Sequence, residues 1–200
     1  MGKPVTIYND GNPIAVGMSG DSNASAASSI IAVFKVDPTG ALTTIDYPHH
    51  EIHTGNTWAF HHENLAPASG VSTYLHLKTR AGAPHLVLEF EAVGGVLGIS
   101  ISEGATVATA GTVISMTNRN REYASTLSTM VGYTGSTFTT VGTVIATRCL
   151  LATSTSQAKS NSVVREGGER IFKPNTDYVI NFLPRAASMA FCVDGIFYEE

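Results

Sequence analysis

The sequence predicts an all-β protein, an antiparallel β-sandwich of jelly-roll type with an extended N-terminal arm. Three observations lead there. Short apolar, β-branched segments recur at close spacing between Gly, Pro and Asn turn signals. No run of a dozen residues sustains the 3.6-residue period of an amphipathic helix, so helix is expected to be scarce. Finally, 43% of the 200 residues are apolar and only 14% are charged, whereas globular chains average about 25% charged residues. Ser, Thr, Ala and Gly fill the difference, as in β proteins whose surfaces meet other subunits.

Taken in order, Val5–Tyr8 and Pro13–Val16 flank Asn9-Asp10-Gly11-Asn12, a turn signal that predicts a small hairpin or arm. Residues 17–28 are small and polar without periodicity, the composition of a linker ordered only against a partner. The expected division is therefore an arm over residues 1–28 and a sandwich domain over residues 29–200. Strand signals follow at Ile30–Val36, Leu42–Tyr47, Val71–Thr79, His85–Val93 and Val96–Ser102. Val71, Thr73, Leu75 and Leu77 alternate inward, as do Leu86, Leu88 and Phe90. Further strands are expected at Thr112–Met116, Leu127–Val131, Phe138–Leu151, Gly168–Phe172, Tyr178–Leu183 and Ala187–Tyr198.

All seven histidines fall between His49 and His85, and five lie in the segment 47–63 with the lone Trp58. Alternation on either side of Thr54-Gly55-Asn56 predicts a hairpin carrying histidines on both arms. In it, Trp58, Phe60 and His62 share one face, opposite Ala59 and His61. Three readings of this hairpin stand open. His49, Glu51, His53 and His61 are donors of the type that hold a zinc- or iron-like ion. Alternatively, the imidazoles satisfy backbone and carboxylate partners within the sheet. In the third reading His49, His50, His53 and Trp58 form part of a subunit or partner contact.

Other chemistry is sparsely signalled. No Gly-x-Ser-x-Gly elbow or phosphate-binding glycine loop is present. Glu51, Glu63, Glu89 and Glu91 are the carboxylates that a groove would gather. Cys149 and Cys192, both in apolar runs, are expected to be buried free thiols. A net charge of −4 argues against a nucleic-acid partner, and no apolar run reaches membrane-spanning length. The first residues lack the apolar core of a secretory signal, so the protein is expected to be made and kept in the host cytoplasm, leaving it only as part of an assembly or by lysis. Arg119 and Arg121 stand close together in this weakly charged chain, which marks a contact loop.

One ordered series of segments carries a resemblance. Pro48–Gly55, Glu103-Gly104-Ala105, Gly111-Thr112, Asn118–Arg121 and Phe197-Tyr198-Glu199 together resemble small structural proteins of tailed bacteriophages. The resemblance runs from about residue 45 to the C-terminus. It implies a virion component on the capsid surface, a decoration or cement protein with a β-sandwich core. Its expected partners are the major capsid protein and further copies of itself in a homotrimer, with no cofactor and no enzymatic turnover. A head-fibre, tail or receptor-binding component that engages host glycans is the alternative, and a cupin-like metalloenzyme on the histidine segment the third.

Overall fold

A computed structural model describes residues 14–17, 31–34, 47–123, 127–128, 130–151, 164–165, 169–187 and 189–199. The chain divides into two compact units, Met1–Tyr47 and Pro48–Glu200. The described part of the first is a hairpin of β1 (Ile14–Gly17) and β2 (Ile31–Phe34), paired antiparallel from Ile14 opposite Phe34 to Gly17 opposite Ile31. The expected strand at Val5–Tyr8 and the linker beyond Gly17 lie outside the described residues.

The second unit is an all-β sandwich. Its elements are α1 (Tyr47–Thr54), β3 (Thr57–Asn64), β4 (Thr73–Lys78), β5 (His85–Val93), β6 (Val96–Glu103), β7 (Thr106–Thr109), β8 (Thr112–Ile114) and β9 (Thr117–Asn118). There follow a 3-10 turn at Arg121–Tyr123, β10 (Val131–Thr134), β11 (Thr137–Thr140), β12 (Thr143–Leu151), β13 (Val164–Arg165), β14 (Arg170–Ile171), β15 (Asp177–Pro184) and β16 (Ala190–Tyr198). One sheet runs β12-β6-β15-β4-β10-β8 and the other β13-β5-β16-β3-β9, with β14 also on β5. The long strands β3, β4, β5 and β6 alternate between the sheets. The last strand, β16, sits between β3 and β5, and β15 sits between β4 and β6. That is jelly-roll order, in which the chain's end closes strands laid down at its beginning.

Period-two alternation builds the core. In β5, Leu86, Leu88 and Phe90 are buried; in β6, Leu97, Ile99 and Ile101; in β15, Tyr178, Ile180 and Phe182. Phe182 stacks on Phe191 at 4.6 Å and meets Phe90 edge-on at 6.1 Å, joining the two sheets. Trp58 stacks on Phe197 at 5.8 Å. Gly195 lies opposite Phe60, and a Cβ there would come within 2.2 Å of the ring. Of the inward series expected for β4, Leu75 and Leu77 are buried, whereas Val71 precedes the strand and is exposed. Each cysteine is a free thiol, but Cys149 is exposed on edge strand β12 and Cys192 is half-buried. The buried apolar neighbours, Leu150 beside Cys149 and Phe191 and Val193 beside Cys192, occupy the opposite face, and Leu151 shares the exposed face of Cys149.

The predicted histidine hairpin is half right. Its second arm is β3, with Trp58, Phe60 and His62 inward and His61 outward, but its first arm is helix α1. Pro48 fits the first helical turn, where no amide partner is needed. Gly55, at φ 81°, ends the helix. Its amide donates to Ile52 O at 3.1 Å, and the Asn56 amide donates to Glu51 O at 3.0 Å, the paired bonds of a Schellman cap. Thr-Gly-Asn is a turn in either case; here it turns a helix into a strand.

The strand expected at Phe138–Leu151 is two, β11 and β12, and that at Leu127–Val131 begins only at Val131. Strands β7 and β11 pair in a small separate sheet. Phe138 of β11 meets Tyr74 and His76 edge-on, each at 5.6 Å, so this flap covers the outer face of β4. At the other end, the turn between β14 and β15 is tied by Glu103. Its carboxylate accepts from Lys173 Nζ at 2.6 Å and from the Tyr178 hydroxyl at 2.9 Å, while the Lys173 amide donates to that hydroxyl.

The bonds from Lys173 and Tyr178 hold the Glu103 carboxyl below its ordinary range. A depressed carboxyl stabilises the fold above the unfolded-state value of about 4.3, and that contribution disappears as pH falls through the folded-state value. Glu103→Gln is therefore expected to lower stability at neutral pH, with the deficit vanishing in acid. Urea melts of both proteins from neutral to acid pH check this; parallel curves throughout would refute it.

Candidate functional site

The outer face of the β5-β16-β3 sheet gathers the polar side chains that alternation turns away from the core. Register sets them in rows: Cys192 opposite Glu63 and Glu91, Asp194 opposite His61 and Glu89, Ile196 opposite Ala59 and Val87, Tyr198 opposite Thr57 and His85. The last three rows open into a cleft of about 180 Å³ lined by Thr57, Val87, Glu89, Arg119, Glu169, Asp194, Ile196 and Tyr198. Its floor is aliphatic, its rim carries three carboxylates and one guanidinium, and Tyr198 closes one end.

Each wall has a local cause. Glu169 accepts from the Tyr198 hydroxyl at 2.7 Å and contacts His85 Nδ1, while the His85 ring stacks on Tyr198 at 4.7 Å. Burial pushes the Glu169 carboxyl up, but the bonds from Tyr198 and His85 outweigh it, and the group lies below its ordinary range. Asp194 is bonded to His61 Nδ1 at 2.8 Å. That bond raises the His61 pKa against the opposing effect of burial, helped by the charges of Asp194 and Glu63. Arg119 is placed by two asparagines. Asn118 donates to Gly55 O at 2.6 Å and accepts the Asn120 amide, and Asn120 donates to His53 O at 3.1 Å and accepts the Glu122 amide. These side-chain turns hold the loop against the end of α1 and leave Arg119 and Arg121 exposed.

One polar atom here is unmatched. Thr57 is 2% exposed, and its Oγ1 has no hydrogen-bond partner among the described residues. A buried hydroxyl without a partner costs about 1–3 kcal/mol, and this one lies on the cleft wall.

The sequence-predicted residues separate in space. His49 and His53 share the exposed side of α1, with Nε2 atoms 3.0 Å apart. His50 turns instead to Glu51, which is buried and also accepts from Thr54 and Asn56. Burial drives the Glu51 carboxyl up, yet those bonds bring it below its ordinary range. His61 lies on β3 with Asp194. The set His49, Glu51, His53 and His61 is thus not assembled, and no group of three or more His, Cys, Asp or Glu among the described residues is placed to hold a metal ion. Trp58 is no surface contact either, because β3 alternation puts it in the core at 3% exposure. Of the four grouped glutamates, Glu63, Glu89 and Glu91 do share this outer sheet face, while Glu51 caps α1. The thiol of Cys192 between Glu63 and Glu91 is pushed up to about 11 by burial and by the charges of Glu91, Asp194 and Glu63, which keeps it protonated.

A second constellation lies beneath the flap. The Gly111 amide donates to Ser136 Oγ at 3.0 Å, leaving the hydroxyl proton for His76 Nδ1 at 3.3 Å, and His76 Nε2 meets Asp177 at 2.8 Å. These are the residue types of an acyl-transfer triad. Both His76 and Ser136 are buried, and His76 stacks on Tyr133 at 5.1 Å. The network therefore fastens the flap and presents no nucleophile to solvent.

No family model, no curated protein and no solved structure matches this chain. No helix among the described residues is long and apolar enough to cross a membrane.

The orphaned hydroxyl gives a direct test. Thr57→Val keeps the side chain's shape and removes the unmatched oxygen, so it is expected to raise stability by about 1 kcal/mol in equilibrium unfolding. A loss of similar size would show that the hydroxyl is satisfied in solution.

Proposed function

We propose that this chain is a structural component of a tailed-phage virion, a capsid decoration protein that binds assembled heads as a homotrimer through shape and contact area. The observation that carries the reading is the β12 edge of the β12-β6-β15-β4-β10-β8 sheet. Among the described residues, strand β12 pairs on one side only, with β6. Along it Val144, Ile145 and Leu151 are 53%, 42% and 70% exposed. An edge strand offers unpaired backbone amides and carbonyls to another chain, and proteins that stay apart blunt such edges with charge. Here the most exposed side chains carry no charge, and Val144, Ile145 and Leu151 among them are apolar, as a contact surface requires. The ordered resemblance to phage structural proteins supplies the partner, the major capsid protein, and Arg119 and Arg121 add exposed cations beyond β9, at the opposite edge of the other sheet.

Co-sedimentation with heads of the encoding phage, together with sedimentation velocity of the free protein, tests this. Wild type is expected to be trimeric and to pellet with heads; Ile145→Lys with Val144→Lys is expected to reduce both at least about tenfold. Monomers that ignore heads would end the reading.

A second reading, recognition of host glycans, is favoured by the cleft. Carboxylates accept from sugar hydroxyls, arginine donates to sugar oxygens, and the Val87–Ile196 floor suits an apolar sugar face. On a glycan array, a bound sugar lost with Arg119→Ala supports it, and an array blank for wild type removes it.

A further inference from the structure

We propose that His49 and His53 form a two-point chelating site for a divalent transition-metal ion, with Cu2+ the preferred occupant. The residues stand four apart on α1, so the helix itself superposes their side chains. Their Nε2 atoms are 3.0 Å apart while the ring centroids are 4.8 Å apart with planes inclined by 20°. The nitrogens are closer than the centroids, so the near-parallel rings are offset with their Nε2 edges toward each other.

Two neutral imidazoles hold that arrangement alone only if one ring carries its proton on Nε2 and the other on Nδ1. A metal ion accepts both lone pairs from the same tautomer, with Nδ1 protonated in each ring. The spacing also selects the ion. With metal–nitrogen bonds of about 2.0–2.1 Å, ligands at a tetrahedral angle lie about 3.4 Å apart and ligands at a right angle about 2.9 Å. The observed separation is nearer the right angle, the geometry of tetragonal Cu2+ and Ni2+, and Cu2+ stands highest in the affinity order. His53 lies in the last turn of α1, where the helix dipole favours a cation. No third His, Cys, Asp or Glu joins the pair among the described residues, so water or a donor from another molecule fills the remaining positions. This site is separate from both the β12 edge and the cleft.

Equilibrium dialysis of the full chain with CuSO4 at neutral pH, read with electron paramagnetic resonance, tests the assignment. Wild type is expected to bind Cu2+ with hyperfine structure from two nitrogens. His49→Ala and His53→Ala are each expected to lose at least about tenfold in affinity, because the second imidazole then no longer acts intramolecularly. His61→Ala, on the far side of Gly55 in the chain, is expected to bind as wild type does. Unchanged far-ultraviolet circular dichroism shows that the helix variants are folded. Equal Cu2+ affinity for wild type, His49→Ala and His53→Ala overturns the assignment, as does wild type without bound Cu2+.

Discussion

The arrangement of this protein depends on the insertion of β15 and β16 between strands made far earlier in the chain. Tyr198 pairs with Thr57 on one side and His85 on the other, and Phe182 pairs with Thr73 and Ile99. Until both closing strands dock, each sheet is split along its middle, and Phe182 and Phe191 are missing from the aromatic cluster that joins the sheets. Such long-range pairing must overcome loop-closure entropy before it gains contact energy, which makes jelly rolls slow to fold and cooperative once formed.

The same insertion creates the outer surface. Asp194, Ile196 and Tyr198 alternate with the core residues Val193, Gly195 and Phe197 on a single strand. Closing the core therefore also lays the middle line of the cleft, with β3 and β5 supplying its flanks. Thr57 stays buried because it stands where β3 leaves the α1 cap. Its unmatched hydroxyl is a local cost that the packing of its neighbours Trp58 and Tyr198 offsets.

The histidines show how proximity in sequence dissolves in space. His49 and His53 form an exposed pair on a helix, and His50 serves the buried Glu51. His61 faces out to Asp194, while His62, one residue on, faces into the core, where burial lowers its pKa and Nε2 has no partner among the described residues. His76 is locked in the Ser136–Asp177 network, and His85 is stacked at the cleft. Two periodicities, four in α1 and two in the strands, sort one histidine-rich stretch into these separate environments. Their consequences differ accordingly: a metal donor needs an exposed lone pair, whereas a buried ring needs a satisfied proton.

The sequence by itself determined the all-β class, most strand positions, the inward face of β5 and the inward Leu75 and Leu77 of β4, because period-two alternation is a local property. It also marked His49, His53, Arg119 and Arg121 as residues of interest. It did not resolve α1, since eight residues are too few for helical periodicity and Thr54-Gly55-Asn56 suits either a hairpin or a helix cap. Only the tertiary structure decided which sheet each strand joined, and hence that Thr57, Glu89, Glu169 and Asp194 share one cleft. Those residues are spread over more than a hundred positions of the chain, and their meeting is fixed by strand order in the closed jelly roll, a global constraint that no local pattern encodes.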